Sequence, residues 1–221
     1  MKMTWDSAWE RIFRSREWGK YPPEEVIRFI ARNFYGVEPR NSVNILDIGC
    51  GTGAGSWYVA REGFRIYGID GSETAIKLAK KRFGNENLTG DFKIGDITSL
   101  PYPDEFFDGV IDLAAMECNR INDIKKIISE VYRVLKPGGK FFSMLIKVNS
   151  YGYGLGKKIE NNTFTNIREG PHKDQGVIHF SSKEELNDFF KKFKNVEIEY
   201  SERSVDNRRY LISHWIVSGE K

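Results

Sequence analysis

The sequence has few cysteines and no long hydrophobic run, and these two scarcities exclude several classes of protein. Cys50 and Cys118 are the only cysteines among 221 residues, too few for a disulfide scaffold or a cysteine-based metal cluster. No apolar stretch approaches the ~20 residues of a membrane-spanning helix. The N-terminal segment is charged and lacks the apolar core of a signal peptide. We therefore expect a cytoplasmic protein, without a membrane as a partner and without a bound metal.

An excess of charge of one sign is also missing. The chain has 34 lysines and arginines against 31 aspartates and glutamates, a net charge of +3. Acidic and basic residues are interleaved, whereas a nucleic-acid-binding protein usually gathers its basic residues into a patch or stripe. Nucleic acid is therefore not an expected partner, and the sequence leaves a monomer and a homodimer equally open.

Helical and strand patterns alternate along the chain, which is typical of a parallel sheet with helices on both faces. A chain of 221 residues is long enough to bury one full core. We expect a single α/β domain over 1–221. It divides into an N-terminal helical lid (1–40), a cofactor-binding core (41–148), and a substrate loop with terminal strands (149–221).

The predicted elements follow the spacing of apolar residues. Helices are expected over 4–14, 23–34, 54–62, 72–83 and 121–135, and from the capping box Ser182-x-x-Glu185 to Phe193. Strands are expected over 43–48, 64–70, 90–95, 107–112, 139–147, 195–202 and 209–217. The stretch 149–178 is expected to be a loop-rich insertion.

The segment Asp47-Ile-Gly-Cys-Gly-Thr-Gly53 follows a predicted buried strand and precedes a predicted helix. Its glycines leave the backbone bare, so that a ligand can lie against it. The start of the following helix directs its amide groups at the same place. The pattern predicts a site for a nucleoside-bearing ligand.

Three acidic residues help to identify that ligand. Asp47 would place an anion beside the pyrophosphate of a dinucleotide, whereas its carboxylate attracts an ammonium group. Asp70 ends the second predicted strand, where it can accept both ribose hydroxyls of S-adenosylmethionine or, equally, of NAD. Asp96 follows the third predicted strand and can accept a hydrogen bond from adenine, or simply be a turn residue. Together these positions favour S-adenosylmethionine over NAD, although the looser dinucleotide pattern is also satisfied.

In these motifs and their order the chain resembles the class I S-adenosylmethionine-dependent methyltransferases, in particular the small-molecule enzymes of type 11. Five segments carry the resemblance: 47–53, 68–70, 95–97, 106–112 and 130–140. The resemblance implies a Rossmann-like, doubly wound, seven-stranded sheet with an antiparallel last strand, and S-adenosylmethionine as the cofactor. The implied cofactor-binding residues are Asp47, Gly49, Cys50, Gly51, Gly53, Asp70, Gly71, Asp96, Ile97 and Asp112.

Methyl transfer requires a nucleophile held in line with the methyl–sulfur bond, and a hydroxyl acceptor also requires a general base. Glu117, after the fourth predicted strand, and His179, before the capping box, are the candidates for a catalytic base. Asn119 and His172 are candidates for substrate binding. Alternatively, Glu117 or Asn119 caps the next helix, and the two histidines are structural. We interpret His214 as a packing residue.

The segment 14–23 mixes cations, aromatic residues and a glycine, and it is predicted to be a lid over the cofactor. Tyr21 is expected to contact the cofactor, while Arg16 and Lys20 are expected to bind an anionic substrate. The alternative is a solvated loop with Trp18 packed on the core. With the lysines of the insertion, these cations suggest a sugar or nucleotide-sugar.

The sequence thus predicts methyl transfer from S-adenosylmethionine to an oxygen or nitrogen atom of a small metabolite. The alternatives are an RNA methyltransferase built on the same core, and a protein that binds S-adenosylmethionine without catalysis. An NAD-dependent oxidoreductase is a third alternative, but no pair of hydride-transfer residues stands out in the sequence.

Overall fold

The computed structural model describes residues 4–221, which form ten strands and six α-helices. The strands are β1 (Asn44–Ile48), β2 (Arg65–Asp70), β3 (Asp91–Ile94), β4 (Phe107–Leu113), β5 (Leu135–Ile146), β6 (Lys157–Glu160), β7 (Thr163–Thr165), β8 (Ile178–His179), β9 (Lys194–Val205) and β10 (Tyr210–Glu220). The helices are α1 (Ala8–Ser15), α2 (Glu24–Phe34), α3 (Ala54–Arg61), α4 (Glu73–Asn85), α5 (Ile121–Val134) and α6 (Lys183–Phe189). Short 3₁₀ turns lie at Arg40–Ser42 and Met116–Cys118.

Seven strands form the main sheet in the order β3-β2-β1-β4-β5-β10-β9. Neighbouring strands from β3 to β5 are parallel, whereas β10 is antiparallel to both β5 and β9. This confirms the predicted Rossmann-like sheet with an antiparallel last strand. The strand order reverses between β1 and β4, and in open α/β sheets such a reversal leaves a ligand-binding crevice at the carboxyl ends of the strands.

Helices cover both faces of this sheet, as predicted. On one face, α2, α3 and α4 bury residues such as Ile30, Val59 and Ile76. On the other face, α5 and α6 bury residues such as Ile127 and Leu186. Side chains on both faces are shielded from water, which explains the near-continuous apolar runs of the central strands.

The insertion 149–178 differs from the expected loop because it contains most of a second, three-stranded sheet of order β6-β7-β8. Both pairings in this sheet are antiparallel. Phe164, Ile178 and Phe180 pack there with Ile146 and Ile212 of the main sheet. Strands of two to four residues carry too little alternation for the sequence to reveal them.

Helix α6 begins where the sequence predicts but ends four residues earlier than expected. The capping box of Ser182 and Glu185 is present at the start of α6. This helix ends at Phe189 rather than at the expected Phe193, and the chain then turns so that Phe193 packs on Phe141.

In the part of the chain that the structure describes, no helix has the length and apolarity needed to cross a bilayer.

Candidate functional site

A cavity of about 320 Å³ lies at the carboxyl ends of the central strands. Its inner wall comes from the ends of β1, β2, β3 and β4 and the turns that follow them. Its outer wall comes from the N-terminal segment, and Pro171, His172 and Gln175 of the insertion complete the lining. From the inner turns the lining residues are Asp47, Gly49, Cys50, Gly51, Thr52, Asp70, Gly71, Gly95, Ile97, Leu113, Ala114, Ala115, Cys118 and Asn119. The cavity therefore occupies the crevice at which the strand order reverses.

The glycine-rich turn after β1 depends on backbone conformations that favour glycine. Gly49 and Gly51 have φ values of +61° and +51°. A Cβ atom on Gly49 would overlap the Cβ of Ala115, which lies in the turn after β4. Glycine here lets the two turns approach each other and form one wall. Gly53 has a φ of +82° and precedes the first turn of α3, outside the cavity lining.

Asp47 lines the cavity from the end of β1 and is almost fully buried. Its Oδ2 accepts a hydrogen bond from the Ser56 hydroxyl at 2.7 Å. Burial raises the pKa of Asp47 to about 7, an effect that the hydrogen bonds from Ser56 partly oppose. A cationic group in the cavity would therefore stabilise the ionised carboxylate.

Asp70 ends β2 and is held by the backbone on both of its carboxylate oxygens. Oδ2 accepts from the Gly51 amide at 2.9 Å, and Oδ1 accepts from the Ser72 amide at 2.8 Å. Burial raises the pKa of Asp70 to about 6. A carboxylate has about four acceptor positions, so the oriented oxygens can still accept further hydrogen bonds. The neighbouring Gly71 also lines the cavity.

Two other predicted cofactor residues lie outside the cavity lining. The carboxylate of Asp96 accepts from the hydroxyl of Thr4 and from the amide of Thr98, although its neighbour Ile97 does line the cavity. Asp112 accepts from the amides of Ala115 and Met116 at 2.9 and 3.0 Å. Both aspartates thus order the turns that carry lining residues, and their contact with a cofactor stays a prediction.

Aromatic residues of the N-terminal segment form the outer wall. Trp5, Trp9, Phe13 and Trp18 line the cavity, and the ring centroids of Trp9 and Trp18 are 5.4 Å apart. Trp18 lies in the predicted lid, 14–23, whereas Trp5, Trp9 and Phe13 were not predicted as site residues. The sequence does contain a pattern that could have identified this wall. Aromatic residues recur every four positions, at Trp5, Trp9 and Phe13, which places them on one side of a helical pattern.

Glu10 links the aromatic wall to the start of α4 through hydrogen bonds. Its carboxylate accepts hydrogen bonds from the hydroxyls of Ser72 and Thr74, at 2.5 and 2.6 Å. Burial alone would raise the pKa of Glu10, but these hydrogen bonds lower it to about 2. A second attachment comes from Asp6, whose carboxylate accepts from the Val177 amide at 3.3 Å.

The structure places the three predicted lid residues away from the cavity lining. The guanidinium group of Arg16 lies 5.3 Å from the ring centroid of Trp18, and the Arg16 side chain is exposed. Tyr21 is 72% exposed and packs its edge on Trp57. Lys20 is exposed as well, and its carbonyl oxygen accepts from Arg82 at 2.6 Å.

A polar cluster of two buried residues and one half-buried residue lies behind the inner wall. Glu117, in the 3₁₀ turn after β4, is fully buried, and its Oε2 accepts from the amide of Ile146. Its Oε1 lies 3.2 Å from Nε2 of His172, which lines the cavity. His214 of β10 joins them, so that one candidate ligand atom from each of the three lies within 4.8 Å of the others. Neither this convergence nor a role for His214 beyond packing was predicted from the sequence.

Burial shifts the pKa of each member of this cluster in the direction that favours the neutral form of its side chain. It raises the pKa of Glu117 well above its usual range and lowers that of His172. Burial, with repulsion from His172, lowers the pKa of His214 to about 4. The nearby Asn119 lines the cavity and donates to the carbonyl oxygens of Ala115 and Met116. The first amide of α5, that of Ile121, donates to the carboxylate of Glu160 at 3.1 Å, so neither Glu117 nor Asn119 has the alternative capping role.

His179, the other candidate base, lies outside the cavity lining. It is fully buried, and its Nδ1 lies 2.9 Å from the Thr163 hydroxyl. Its Nε2 lies 3.6 Å from Glu185, in the capping box of α6. Through these neighbours His179 links the small sheet to α6. Such surroundings fit the structural role that was the alternative prediction for this histidine.

Comparisons with known proteins agree with this geometry. Residues 46–143 match the model of a family described as a methyltransferase domain. Demethylmenaquinone methyltransferase of Symbiobacterium thermophilum is 32% identical over 143 residues, 62% of this chain and 53% of that protein. Sterol 4-C-methyltransferase strm-1 of Caenorhabditis elegans is 33% identical over 118 residues, 52% of this chain and 35% of that protein. The chain thus spans about half, or less, of the length of these curated relatives.

A solved structure extends the likeness to nearly the whole chain. Phosphoethanolamine N-methyltransferase 2 of Haemonchus contortus was solved in complex with phosphomonomethylethanolamine and S-adenosylhomocysteine. It aligns with a TM-score of 0.68 and 20% identity over 97% of this chain and 56% of that chain. At this identity the likeness concerns the fold alone.

Proposed function

Because this chain belongs to the class I S-adenosylmethionine-dependent methyltransferases, we propose that it transfers a methyl group to an oxygen or nitrogen atom of a small, largely apolar molecule. The observation that carries the proposal is the cavity between the glycine-rich turn and the aromatic wall. It places Asp47, Asp70 and the bare backbone of the turn on one side, as a nucleoside-bearing cation requires.

Each inner turn has a distinct role in this proposal. Asp70 accepts hydrogen bonds from the ribose hydroxyls, and its orientation by two backbone amides fixes where they lie. Asp47 stabilises the ammonium group of the methionine portion. Gly49 and Gly51 let that portion approach the backbone. Gly95 and Ile97 contact the adenine ring, while Asp96 holds their turn in place.

The cofactor supplies a methyl group that its sulfonium already activates. The protein then has two tasks, which are to hold the acceptor in line with the methyl–sulfur bond and to exclude water. Trp9, Phe13 and Trp18 serve the second task because they cover the cavity with apolar rings. Aromatic faces also interact favourably with a cationic sulfonium. Asn119 is the polar side chain that contacts the acceptor in this proposal. The two ring nitrogens of His172 face Gln175 and Glu117, so this residue contributes the edge of its ring to the cavity wall.

The lining of the cavity supports an apolar acceptor. Among residues 4–221, no lysine or arginine lines the cavity, and the cations expected to bind an anionic sugar, Arg16 and Lys20, lie outside it. The names of two relatives refer to demethylmenaquinone and a sterol. Neither the cavity nor these names support a sugar or nucleotide-sugar, and we propose a phenol, quinol or similar ring compound instead.

Transfer of radiolabelled methyl groups from S-adenosylmethionine to a mixed acceptor panel tests this proposal. The panel contains apolar phenols, quinols and aromatic amines beside sugars and nucleotide-sugars. We expect label in the fraction extracted by organic solvent, and at least a tenfold smaller rate in Trp9→Ala, a truncation that typically costs more than ~1.4 kcal/mol. Label confined to the sugar acceptors would overturn the substrate class, and cofactor that binds without any transfer would favour a non-catalytic protein.

A further inference from the structure

We propose that Glu117, His172 and His214 form a binding site for one divalent transition-metal ion, with zinc as the representative case. The three residues come from the turn after β4, the insertion and β10. Two imidazoles and a carboxylate are a donor set that suits zinc and other first-row metals. The binding of metal does not depend on the function proposed above.

The spacing of the donor atoms fits a shared ion. Oε1 of Glu117 and Nε2 of His172 lie 3.2 Å apart. Two ligands that each lie ~2.0–2.1 Å from a tetrahedral zinc ion are about 3.3 Å apart. The corresponding atom of His214 lies within 4.8 Å of both, so that small side-chain rotations bring all three to one centre.

Hydrogen bonds around His172 determine which of its nitrogens carries hydrogen. Nε2 of Gln175 donates to the carbonyl oxygen of Pro171 at 2.7 Å, which directs Oε1 of Gln175 toward Nδ1 of His172 at 2.9 Å. An amide oxygen can only accept, so Nδ1 is the donor. In the neutral ring, Nε2 then presents a lone pair to the carboxylate of Glu117.

This arrangement requires either a proton or a metal cation between Oε1 of Glu117 and Nε2 of His172. Oε1 of Glu117 and Nε2 of His172 are both buried and have no hydrogen-bond partner, and two electron-rich atoms repel each other at 3.2 Å. A proton shared by this pair would account for two of the residues. It would not account for the approach of His214, whose ring nitrogen lies within 4.8 Å of both atoms, whereas a metal ion attracts all three donors.

The surrounding residues also resemble the outer shell of a metal site. Metal-binding histidines usually donate their other ring nitrogen to an oxygen that fixes the ring orientation, as His172 does to Gln175. The second oxygen of Glu117 is held by the Ile146 amide. Since His172 lines the cavity, a fourth coordination position facing it would take an oxygen atom of the acceptor. This last step alone rests on the proposed function.

Metal titration of tag-free protein, first dialysed against a chelator, tests the site. We expect one equivalent of Zn²⁺ by calorimetry, and an intense visible spectrum with Co²⁺ that indicates a site of low coordination number. The variants Glu117→Gln, His172→Gln and His214→Gln should each lose this binding. Gln175→Ala, which removes only the orienting partner, should weaken the affinity ~10–100-fold.

His179→Gln is the matched control because it removes a buried histidine outside the cluster. It should retain the full stoichiometry. The cobalt spectrum needs only the wild-type protein, so the test does not depend on whether a variant folds. Absence of stoichiometric binding in the wild type would overturn the proposal, and so would binding that persists in all three ligand variants while they remain folded.

Discussion

Buried carboxylates dominate the residue-scale electrostatics of the cavity. Burial raises the pKa of Asp47 to about 7 and those of Asp70 and Asp112 to about 6. A raised folded-state pKa means that the folded protein binds a proton more tightly than the unfolded chain does. These groups therefore reduce stability as pH rises from about 4, the unfolded value, to the folded pKa. A cationic ligand offsets this cost where it contacts Asp47 and Asp70.

The affinity for S-adenosylmethionine should rise with pH through about 7, because the ammonium group prefers the ionised form of Asp47. Calorimetric titrations between pH 5.5 and 8.5 measure this dependence. In Asp47→Asn the affinity should no longer change with pH near pH 7. Only a smaller change with pH should remain near pH 6, where Asp70 titrates.

Ser56→Ala provides the matched variant for this prediction. The Ser56 hydrogen bond lowers the pKa of Asp47, so its loss should move the midpoint to higher pH. An unchanged midpoint in this variant, together with an undiminished slope in Asp47→Asn, would show that another group controls the pH dependence.

At the scale of elements, α1 and the residues on either side of it cover the cavity. A small number of side-chain hydrogen bonds hold this segment against the rest of the protein. Glu10 joins α1 to the start of α4, and its pKa of about 2 keeps it ionised over the whole pH range used above. Because this pKa is depressed, the stabilisation that Glu10 provides is lost only as pH falls from about 4.5 toward 2. The attachment should thus be constant while Asp47 titrates.

Glu10→Ala should loosen this attachment and weaken cofactor binding by roughly tenfold, since hydrogen bonds to a charged group contribute ~1.5–3 kcal/mol. Stopped-flow measurement of tryptophan fluorescence can follow cofactor release, because Trp5, Trp9 and Trp18 line the cavity. We expect the change mainly in the dissociation rate.

Arg14→Ala is the control for this prediction, because Arg14 forms an exposed pair with Glu10 but makes none of the contacts to α4. Exposed pairs of this kind contribute only ~0.3–0.5 kcal/mol. If Arg14→Ala and Glu10→Ala accelerated release equally, the contacts with Ser72 and Thr74 would not be the ones that hold α1 in place.

At the scale of the whole molecule, the sheet topology brings together residues that are distant in the sequence. Asp47 and Asp70 could be found from the sequence because each lies at the carboxyl end of a strand that is rich in apolar residues, and parallel strands end at one edge of the sheet. The cluster of Glu117, His172 and His214 could not, since its members come from three elements with no shared spacing.

The predicted lid segment, 14–23, contributes Trp18 to the outer wall, whereas Trp5, Trp9 and Phe13 precede that segment. The charges of 14–23 suggested a lid, but burial of apolar surface decided which residues cover the cavity. Trp9 and Phe13, on α1, have that surface, whereas Arg16, Lys20 and Tyr21 remain exposed. In the same way, the short strands of the insertion form through tertiary packing of residues such as Phe164, not through a local pattern.

Calorimetric binding of S-adenosylmethionine, S-adenosylhomocysteine and NAD to the wild type and to Asp70→Ala tests the central claim most directly. We expect the first two ligands to bind at micromolar concentrations, NAD not to bind, and Asp70→Ala to weaken binding at least tenfold, or about 1.4 kcal/mol. Asp91→Ala, at the exposed start of β3, should bind like the wild type. Binding of NAD alone, or equal affinity in Asp70→Ala and the wild type, would contradict the assignment of this cavity to S-adenosylmethionine.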